Sequence, residues 1–513
     1  MTATDLYGVL RDGFADRLDQ PAFVLPDTTV VMTYRQLDER TARVARALVG
    51  LGVGKGDRVA FQVDKSIETV VAYLGSLRAG AVFLPLNTAY QRDEVAYFLG
   101  DAEPTVAVGR PSAPWFCEVA RASGVRTVLQ LDASGKGSWA ELIDATPTGQ
   151  AGSPVPVIAG DDLACLVYTS GTTGRSKGAM ISHGNLVANA RALVELWGFE
   201  PADRMLHALP IFHVHGLHVA LHTSVLSGIP IEFHTSFDPA AIIAGFDRNT
   251  VFMGVPTMYV RLLAEASLTP QATRPMRLFI SGSAPLLPET FDAFTERTGY
   301  VILERYGMTE TGMLTSNPFD GVRKRGTVGP PLPGTRVRLV GAGALDSAAG
   351  EVGDVQVKGP NVFSGYWRNP EKTIEDFTAD GWFRTGDVGM LDPDGYLELV
   401  GRSKDLVISG GYNVYPKEIE LLLDEMPGVV ESAVIGVRHP DFGEGVTAVL
   451  VVSPGVVLDA NAMMAALKAQ LASYKVPKAI EVVDDLPRNA MGKVQKNLLR
   501  DRFRDLYATP PLG

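Results

Sequence analysis

Residues 56–86 read GDRVAFQVDKSIETVVAYLGSLRAGAVFLPL, and the rhythm of this stretch decides the fold class. Gly56-Asp57 is a turn, and the run from Arg58 to Val63 is apolar and of strand length. Ile67 to Gly80 carries apolar residues at helical spacing and closes on glycine, and Ala81 to Leu86 is a second apolar strand. A strand, a helix and a strand in about 30 residues make a βαβ unit, whose two strands must run parallel. The theme returns at Leu206 to Ile211, Thr250 to Gly254 and Leu278 to Gly282. An α/β architecture of mostly parallel sheets, covered on both faces, is therefore expected from about residue 30 to 300.

The pattern changes after Gly326. TRVRLVG (335–341), GDVQVKG (353–359) and GYLELVG (395–401) are short β runs divided by Gly, Pro and Asp turns. They predict a small β subdomain at about 330–400. A new unit follows, with a helix at Pro416 to Met426, a strand at Glu431 to Val437, a helix at 460–472 and a strand at Ala479 to Val483. Its length, about 110 residues, suffices for an independent domain. The expected division is an N-terminal domain over 1–402 and a C-terminal α/β domain over 403–513, since 513 residues exceed one ordinary core.

Composition excludes several classes. A net charge of −11 opposes non-specific nucleic-acid binding, which needs a basic surface. It leaves room for an anionic small molecule at a locally positive site. No apolar stretch approaches the roughly 20 residues that span a bilayer, and the N-terminus lacks a signal-peptide core. Cys117 and Cys165 form neither a disulfide framework nor metal-ligand spacing. A cytoplasmic protein without nucleic-acid or membrane partners is expected.

The chemistry concentrates in a few segments. Thr169 to Gly178 (TSGTTGRSKG) holds three glycines, five hydroxyl side chains and Lys177. Glycines let successive N–H groups converge on an oxyanion, and the hydroxyls and the lysine add donors, so the loop suits a polyphosphate. It lacks the order G-x-x-x-x-G-K-[ST]. A strand from Asp162 to Val167 should precede it and a helix with a serine cap, Ser182 to Trp197, should follow. In VILERYGMTE (301–310) an apolar run stops at Glu304-Arg305, and a turn is expected at Tyr306-Gly307. His207, His213, His215, His218 and His222 crowd sixteen residues, but with no neighbouring Cys and no H-E-x-x-H they read as packing and polar neighbours rather than a metal centre.

Seven stretches, in order, resemble the core motifs of the adenylate-forming superfamily of acyl-CoA synthetases, adenylation domains and luciferases. They are Tyr168 to Gly178, LPIFH (209–213), SGSAPL (281–286), YGMTE (306–310), GWFRTGD (381–387), GRSKD (401–405) and PRNAMGK (487–493). Within that superfamily LNTAY (86–90), MGVPTMYVRLL (253–263), RLFISGSAPLL (277–287), ERYGMTET (304–311) and GKVQKN (492–497) resemble the malonyl-CoA synthetases.

The resemblance implies a large N-terminal domain of α/β subdomains with a small β subdomain, and a small mobile C-terminal α/β domain. It implies a two-step reaction: ATP and a carboxylate give an acyl-adenylate and pyrophosphate, then the thiol of coenzyme A displaces AMP. Lys493 would bridge carboxylate and phosphate oxygens, Glu310 would hold Mg²⁺, and Thr309 would bond the α-phosphate. The ATP site would comprise Thr169, Ser170, Gly171, Thr172, Thr173, Gly174 and Lys177 on the phosphates. Gly282, Ser283 and Ala284 would approach the adenine ring, Glu304, Tyr306, Gly307 and Met308 would belong to the same ATP site, and Asp387 would hold the ribose, with Arg402 on ribose or phosphate. His213 matches a gate between acyl pocket and thiol channel. Ser409, Gly410 and Gly411 would line that channel, and Lys404 holds the hinge position. A monomer or small homo-oligomer is expected, and Lys493 is a candidate for a protein acetyltransferase.

The acid is chosen by charge. Family members with apolar substrates usually have a small residue before this Tyr-Gly, whereas this chain has Arg305; Arg261, on an otherwise apolar helix, is a second candidate. Two guanidinium groups in one pocket would suit a second carboxylate, which arginine binds bidentately. Malonate or methylmalonate is the expected acid, with Arg277 a weaker third contact. Rival readings are a short-chain or aryl monocarboxylate–CoA ligase, a stand-alone adenylation enzyme that loads a carrier protein, and a nucleotide binder without catalysis.

Overall fold

The opening stretch forms its βαβ unit. In the computed structural model, which describes residues 4–147, 156–169, 176–341, 349–409, 412–456, 458–489 and 492–507, Arg58–Gln62 and Val82–Pro85 are parallel neighbours paired Val59 to Phe83. Ser66 caps the helix Ile67–Arg78 by accepting from the Thr69 N–H, which satisfies one of the helix's orphan donors. The strands read as unbroken apolar runs because both faces are covered. Helix Tyr34–Gly50 packs on Ile67–Arg78 so closely that a Cβ on Gly75 would stand 2.4 Å from Val44 Cβ. Any larger residue there would force the helices apart.

Two sheets make up the large N-terminal part. One has six strands in the order Thr127–Gln130, Val106–Gly109, Arg58–Gln62, Val82–Pro85, Leu163–Thr169, Lys177–Ser182. Its pairs are parallel except the last. The other has eight strands, from Gly312–Ser316 through Leu303–Met308, Leu278–Ser281, Val251–Gly254, Met205–His207, Ile231–Phe233 and Pro21–Val24 to Val30–Thr33. Its six inner strands are parallel, and an antiparallel strand closes each edge. The expected class, α/β with mostly parallel sheets, is what the chain adopts.

The β runs after Gly326 form a four-stranded antiparallel sheet of Arg336–Val340, Val352–Lys358, Phe383–Leu391 and Leu397–Arg402. A short 3-10 turn, Ser403–Asp405, follows. The chain then enters a five-stranded sheet built on Val429–His439 and Gly443–Val452 and flanked by helices Pro416–Asp424 and Ala460–Gln470. This sheet has its own apolar core around Val434, Val446, Leu450 and Ile419.

Two local expectations are corrected. The phosphate loop joins two strands of an antiparallel hairpin, Leu163–Thr169 and Lys177–Ser182, and only then does the helix His183–Leu196 begin. Ser182 caps that helix through a capping box with Asn185. Residues 177–182 alternate too briefly for the extra strand to stand out from the loop. The second correction concerns VILERYGMTE. The strand starts, rather than stops, at Leu303 and runs through Glu304, Arg305, Tyr306 and Gly307 to Met308. A charged pair can sit mid-strand here because each side chain enters a different buried site.

Candidate active site

Strand Leu303–Met308 sends successive side chains to opposite faces, so Glu304 and Tyr306 share one side while Arg305 faces the other. This alternation divides the site into two compartments.

On the Tyr306 side, the tyrosine hydroxyl donates to Asp387 Oδ2. The other oxygen of Asp387 receives Arg402 Nε at 3.0 Å. Asp387 and Arg402 reach this point from neighbouring strands of the β subdomain, paired directly across the ladder. Glu310 lies in the turn after the strand and is buried; burial raises its pKa, partly countered by the Tyr366 hydroxyl, Arg402 and Lys493. Tyr366 donates to Glu310 Oε1 at 3.2 Å, and the Lys177 ammonium stands 5.5 Å from the Tyr366 ring centroid. Lys493 belongs to the C-terminal part of the chain, yet it lies in the field of Arg402, Asp387, Glu310 and Arg305. Burial, then Arg402, pulls its pKa down to about 8. The fold therefore gathers Glu310, Asp387, Arg402, Lys177 and Lys493 from five separate motifs.

Glu304 is buried and accepts from the Gly326 N–H, and among the described residues its Oε1 has no partner. Burial pushes its pKa up to about 8, against weak opposition from Lys417. Unfolding would return it to the usual carboxyl range, so the folded state holds its proton more tightly. The resulting stability is fully present below about pH 4.5 and lost as pH rises through about 8. A Glu304→Gln variant should melt with a flatter pH dependence than wild type between pH 5 and 8.5. Equal slopes in a thermal-shift series would show that Glu304 does not titrate in this range.

On the opposite side, Arg305 is 3% exposed, and among the described residues its Nε and Nη2 have no hydrogen-bond partner. A Cβ on Gly282 would lie 2.4 Å from Arg305 Nη1, so glycine there makes room for the guanidinium. Burial lowers the arginine's pKa to about 9, which leaves it charged at neutral pH. Tyr259 lies nearby and anchors its hydroxyl on the Ile280 carbonyl at 2.7 Å. Burial holds His213 and His215 far below the usual histidine range and so neutral, helped by the charges of Lys493 and Arg305 at His213 and of Arg305 at His215. His213 Nδ1 accepts from the His215 N–H, and His215 Nδ1 bonds Ser283 Oγ at 3.2 Å. Ser283 sits at φ +74°, an unusual conformation for a side-chain-bearing residue and a common mark of a working site.

The structure does not bring Arg261 into this pocket. It is exposed on helix Pro256–Leu263, its guanidinium 4.9 Å from the centroid of the Phe237 ring. The helix buries Pro256, Tyr259 and Leu262, and residue 261 falls on the opposite face. Arg277 is committed elsewhere, bidentate to Asp203 and stacked on Phe319. Arg305 alone of the three is buried without an acid partner.

Among the other expected residues, Thr169 and Lys177 end the two hairpin strands, while 170–175 lie outside the described residues. Gly282, Ser283 and Ala284 follow strand Leu278–Ser281, next to Glu304 in the ladder. Gly307, Met308 and Thr309 are half-buried. His207, His218 and His222 pack inside: His207 bonds Lys65 and the Gly216 carbonyl, and His222 bonds Tyr73. Among the described residues no cluster of three or more His, Cys, Asp or Glu could hold a metal ion by itself. Lys404 sits in the Ser403–Asp405 turn, and Ser409 is buried; Gly410 and Gly411 lie outside the described residues. Sequence reading missed Tyr366 and Tyr259; the aromatic pair after Gly365 was the available signal for the first.

Comparison with known proteins follows the same order of motifs. The family model "AMP-binding enzyme" matches residues 11–367, and "AMP-binding enzyme C-terminal domain" matches 418–493. The chain belongs to the AMP-binding enzyme family. Its members here are adenylate-forming acid–CoA ligases, and the chain is such an ATP-dependent ligase, working through an acyl-adenylate. The crystal structure of ATP-bound MatB from Rhodopseudomonas palustris superposes with a TM-score of 0.93 at 50% identity, covering 98% of this chain and 99% of that one. A malonate–CoA ligase of Arabidopsis thaliana is 35% identical over 483 residues, 88% of this chain and 79% of the relative. A feruloyl-CoA synthase of an Amycolatopsis species is 37% identical over 476 residues, 92% and 94% of the two chains. Family membership thus establishes the reaction class, while relatives of similar identity bear names with very different acids. The acid must be argued from the pocket.

Proposed function

We propose that this enzyme joins a short dicarboxylate, malonate or methylmalonate, to coenzyme A. The observation that carries the reading is the buried guanidinium of Arg305, charged and, among the described residues, without an acid partner. An unpaired buried charge costs several kcal/mol, so a protein keeps one where a ligand of opposite sign completes it. The distal carboxylate of a three-carbon diacid supplies that charge, and its other carboxylate remains free to react. The loss of Arg261 as a contact leaves one cation for one carboxylate, which balances the charge.

In the first half-reaction a carboxylate oxygen attacks the α-phosphorus of ATP, the bond to the bridging oxygen breaks, and pyrophosphate leaves. Two anions must meet, so neutralisation governs the barrier. Lys493 lies between them in this reading, with Arg402 beside it and Asp387 accepting from the ribose hydroxyls. The buried, otherwise underused carboxylate of Glu310 fits a hard cation. Bound Mg²⁺ would supply further neutralisation of the phosphates. Thr309 adjoins Glu310 and serves the α-phosphate; the loop around 169–177 holds the polyphosphate. In the second half-reaction the thiol attacks the acyl carbon, AMP departs, and the thiol proton is released. For that step we propose that the C-terminal domain, 403–513, turns about Lys404. Ser409, Gly410 and Gly411 then line the thiol channel, and His213 gates it. A monomer or small homo-oligomer in the reducing cytoplasm, with Lys493 open to an acetyltransferase, belongs to the same proposal; among the described residues no helix is long and apolar enough to cross a membrane.

The test is ATP–pyrophosphate exchange over a panel of acids. Malonate and methylmalonate should exceed acetate, butyrate, benzoate and ferulate by at least about 100-fold in kcat/KM, the worth of one charge-assisted, bidentate contact. A monocarboxylate that matches malonate would overturn the dicarboxylate reading and leave the ligase class untouched.

A further inference from the structure

The lysine of the first half-reaction stands on a short loop, and the loop is braced from behind. Gln495 N donates to the Pro487 carbonyl at 2.7 Å, and Arg488 pairs with Val494 as an isolated antiparallel bridge. Between these limits Asn489 bonds Lys493 twice: Asn489 N to the Lys493 carbonyl at 3.0 Å, and Lys493 N to Asn489 Oδ1 at 3.0 Å. Gly492 N donates to the Asn489 carbonyl at 2.9 Å, and Gly492 itself has φ +74°, which favours glycine. Gly492 faces the large domain, where a Cβ on it would stand 3.6 Å from Thr257.

One side chain ties Gly492 to the central sheet of its own domain. Arg488 Nη1 donates to the Gly492 carbonyl at 2.7 Å, and Nη2 donates to Glu431 Oε2. Glu431 lies on the long strand Val429–His439, beside a bulge in its pairing with Gly443–Val452. The next turn is fastened separately, by Lys496 on Glu420 at 2.5 Å. Both Arg488 and Glu431 are mostly covered, so the pair is shielded from solvent more than an ordinary surface bridge. A guanidinium can hold a carbonyl and a carboxylate at once in fixed geometry; an ammonium cannot.

We propose that Arg488, oriented by Glu431, is a positioning residue that fixes the Gly492 carbonyl and thereby the reach of Lys493 into the site. The proposal rests on the role given to Lys493 above. Arg488 acts through the backbone one residue before the lysine and touches neither acid nor nucleotide. Its effect should therefore fall on the half-reaction that uses Lys493 and spare the one that does not.

The experiment measures the two half-reactions of the full chain separately. ATP–pyrophosphate exchange reports the first, and thioester formation from synthetic malonyl adenylate and coenzyme A reports the second. For Arg488→Met, exchange should fall about 10- to 100-fold in kcat, the scale of a misplacement near 1 Å, with the KM for ATP changed less than about threefold. Thioester formation should stay within about threefold of wild type. Glu431→Gln, which keeps an acceptor for Arg488, should lose less exchange than Glu431→Ala. A parallel fall of both half-reactions would overturn the proposal in favour of a purely structural role, as would exchange within twofold of wild type. Lys493→Ala separates this proposal from its premise. Exchange lost there but kept in Arg488→Met rejects the brace alone, whereas exchange kept in both rejects the lysine's role and the brace with it.

Discussion

Arg305→Met will remove dicarboxylate activation and, at the same time, make the ligand-free protein more stable. The two effects share one cause. In the empty site Arg305 carries a charge that burial opposes, with Nε and Nη2 unbonded. Methionine keeps much of the length and the apolar stem and removes the charge. Replacing buried charge by apolar side chains of similar volume is commonly neutral or stabilising by about 1–4 kcal/mol. A rise of several degrees in melting temperature is therefore expected without substrate. With malonate the order reverses. Two charge-assisted hydrogen bonds, each about 1.5–3 kcal/mol, are lost, which corresponds to roughly 10²- to 10⁴-fold in kcat/KM for exchange. Saturating malonate should also raise the melting temperature of wild type and leave that of the variant unmoved. Unchanged malonate kinetics in the variant would refute Arg305 as the contact for the distal carboxylate. Arg261→Ala serves as the contrast: an exposed arginine stacked on Phe237 should leave malonate kinetics within about twofold.

Lys493→Ala should divide the reaction in two. Adenylation brings a carboxylate against a phosphate, and removal of a preorganised cation from such a site costs on the order of 10²- to 10³-fold in rate. Thioester formation starts from a mixed anhydride in which that repulsion has already been overcome, so it should proceed from supplied malonyl adenylate at near wild-type rate. The pH profile gives an independent check. Burial and Arg402 lower the lysine to about 8, so the ammonium form is present below that pH and disappears above it. The kcat/KM for exchange in the free enzyme should therefore fall as pH rises through about 8. In the ATP complex the added negative charge favours the ammonium, and the kcat profile should break at higher pH. A profile flat to pH 9.5 in wild type would contradict a catalytic ammonium at this position.

The proposed acid pocket and the proposed nucleotide site lie on opposite faces of one strand, and this has a consequence for engineering. Arg305 and Tyr306 are adjacent in sequence but face opposite compartments. Substitution at 305 can alter the acid without disturbing the Tyr306–Asp387 contact, provided the residue fits against Gly282. The same glycine sets the limit, because a side chain there would run into the guanidinium.

Much of this protein was legible in its residues because the signals were local or repeated. Apolar runs of strand length alternating with helical spacing specified parallel α/β sheets, since only covered sheets bury strands on both faces. Motif order specified the reaction class, and a charged residue before Tyr306-Gly307 pointed to the acid. The extra strand Lys177–Ser182 and the true start of Leu303–Met308 were not legible, because pairing with a distant or edge strand decides both. Arg261 and Arg305 looked equivalent as lone arginines in apolar settings. Three-dimensional packing separated them: a helix exposes the face that its buried residues do not occupy, whereas a strand covered on both sides buries whatever it carries. Sequence could name the arginines, but only tertiary structure could show which of them lacks an acid partner, because burial and charge neutrality depend on contacts among residues far apart in the chain.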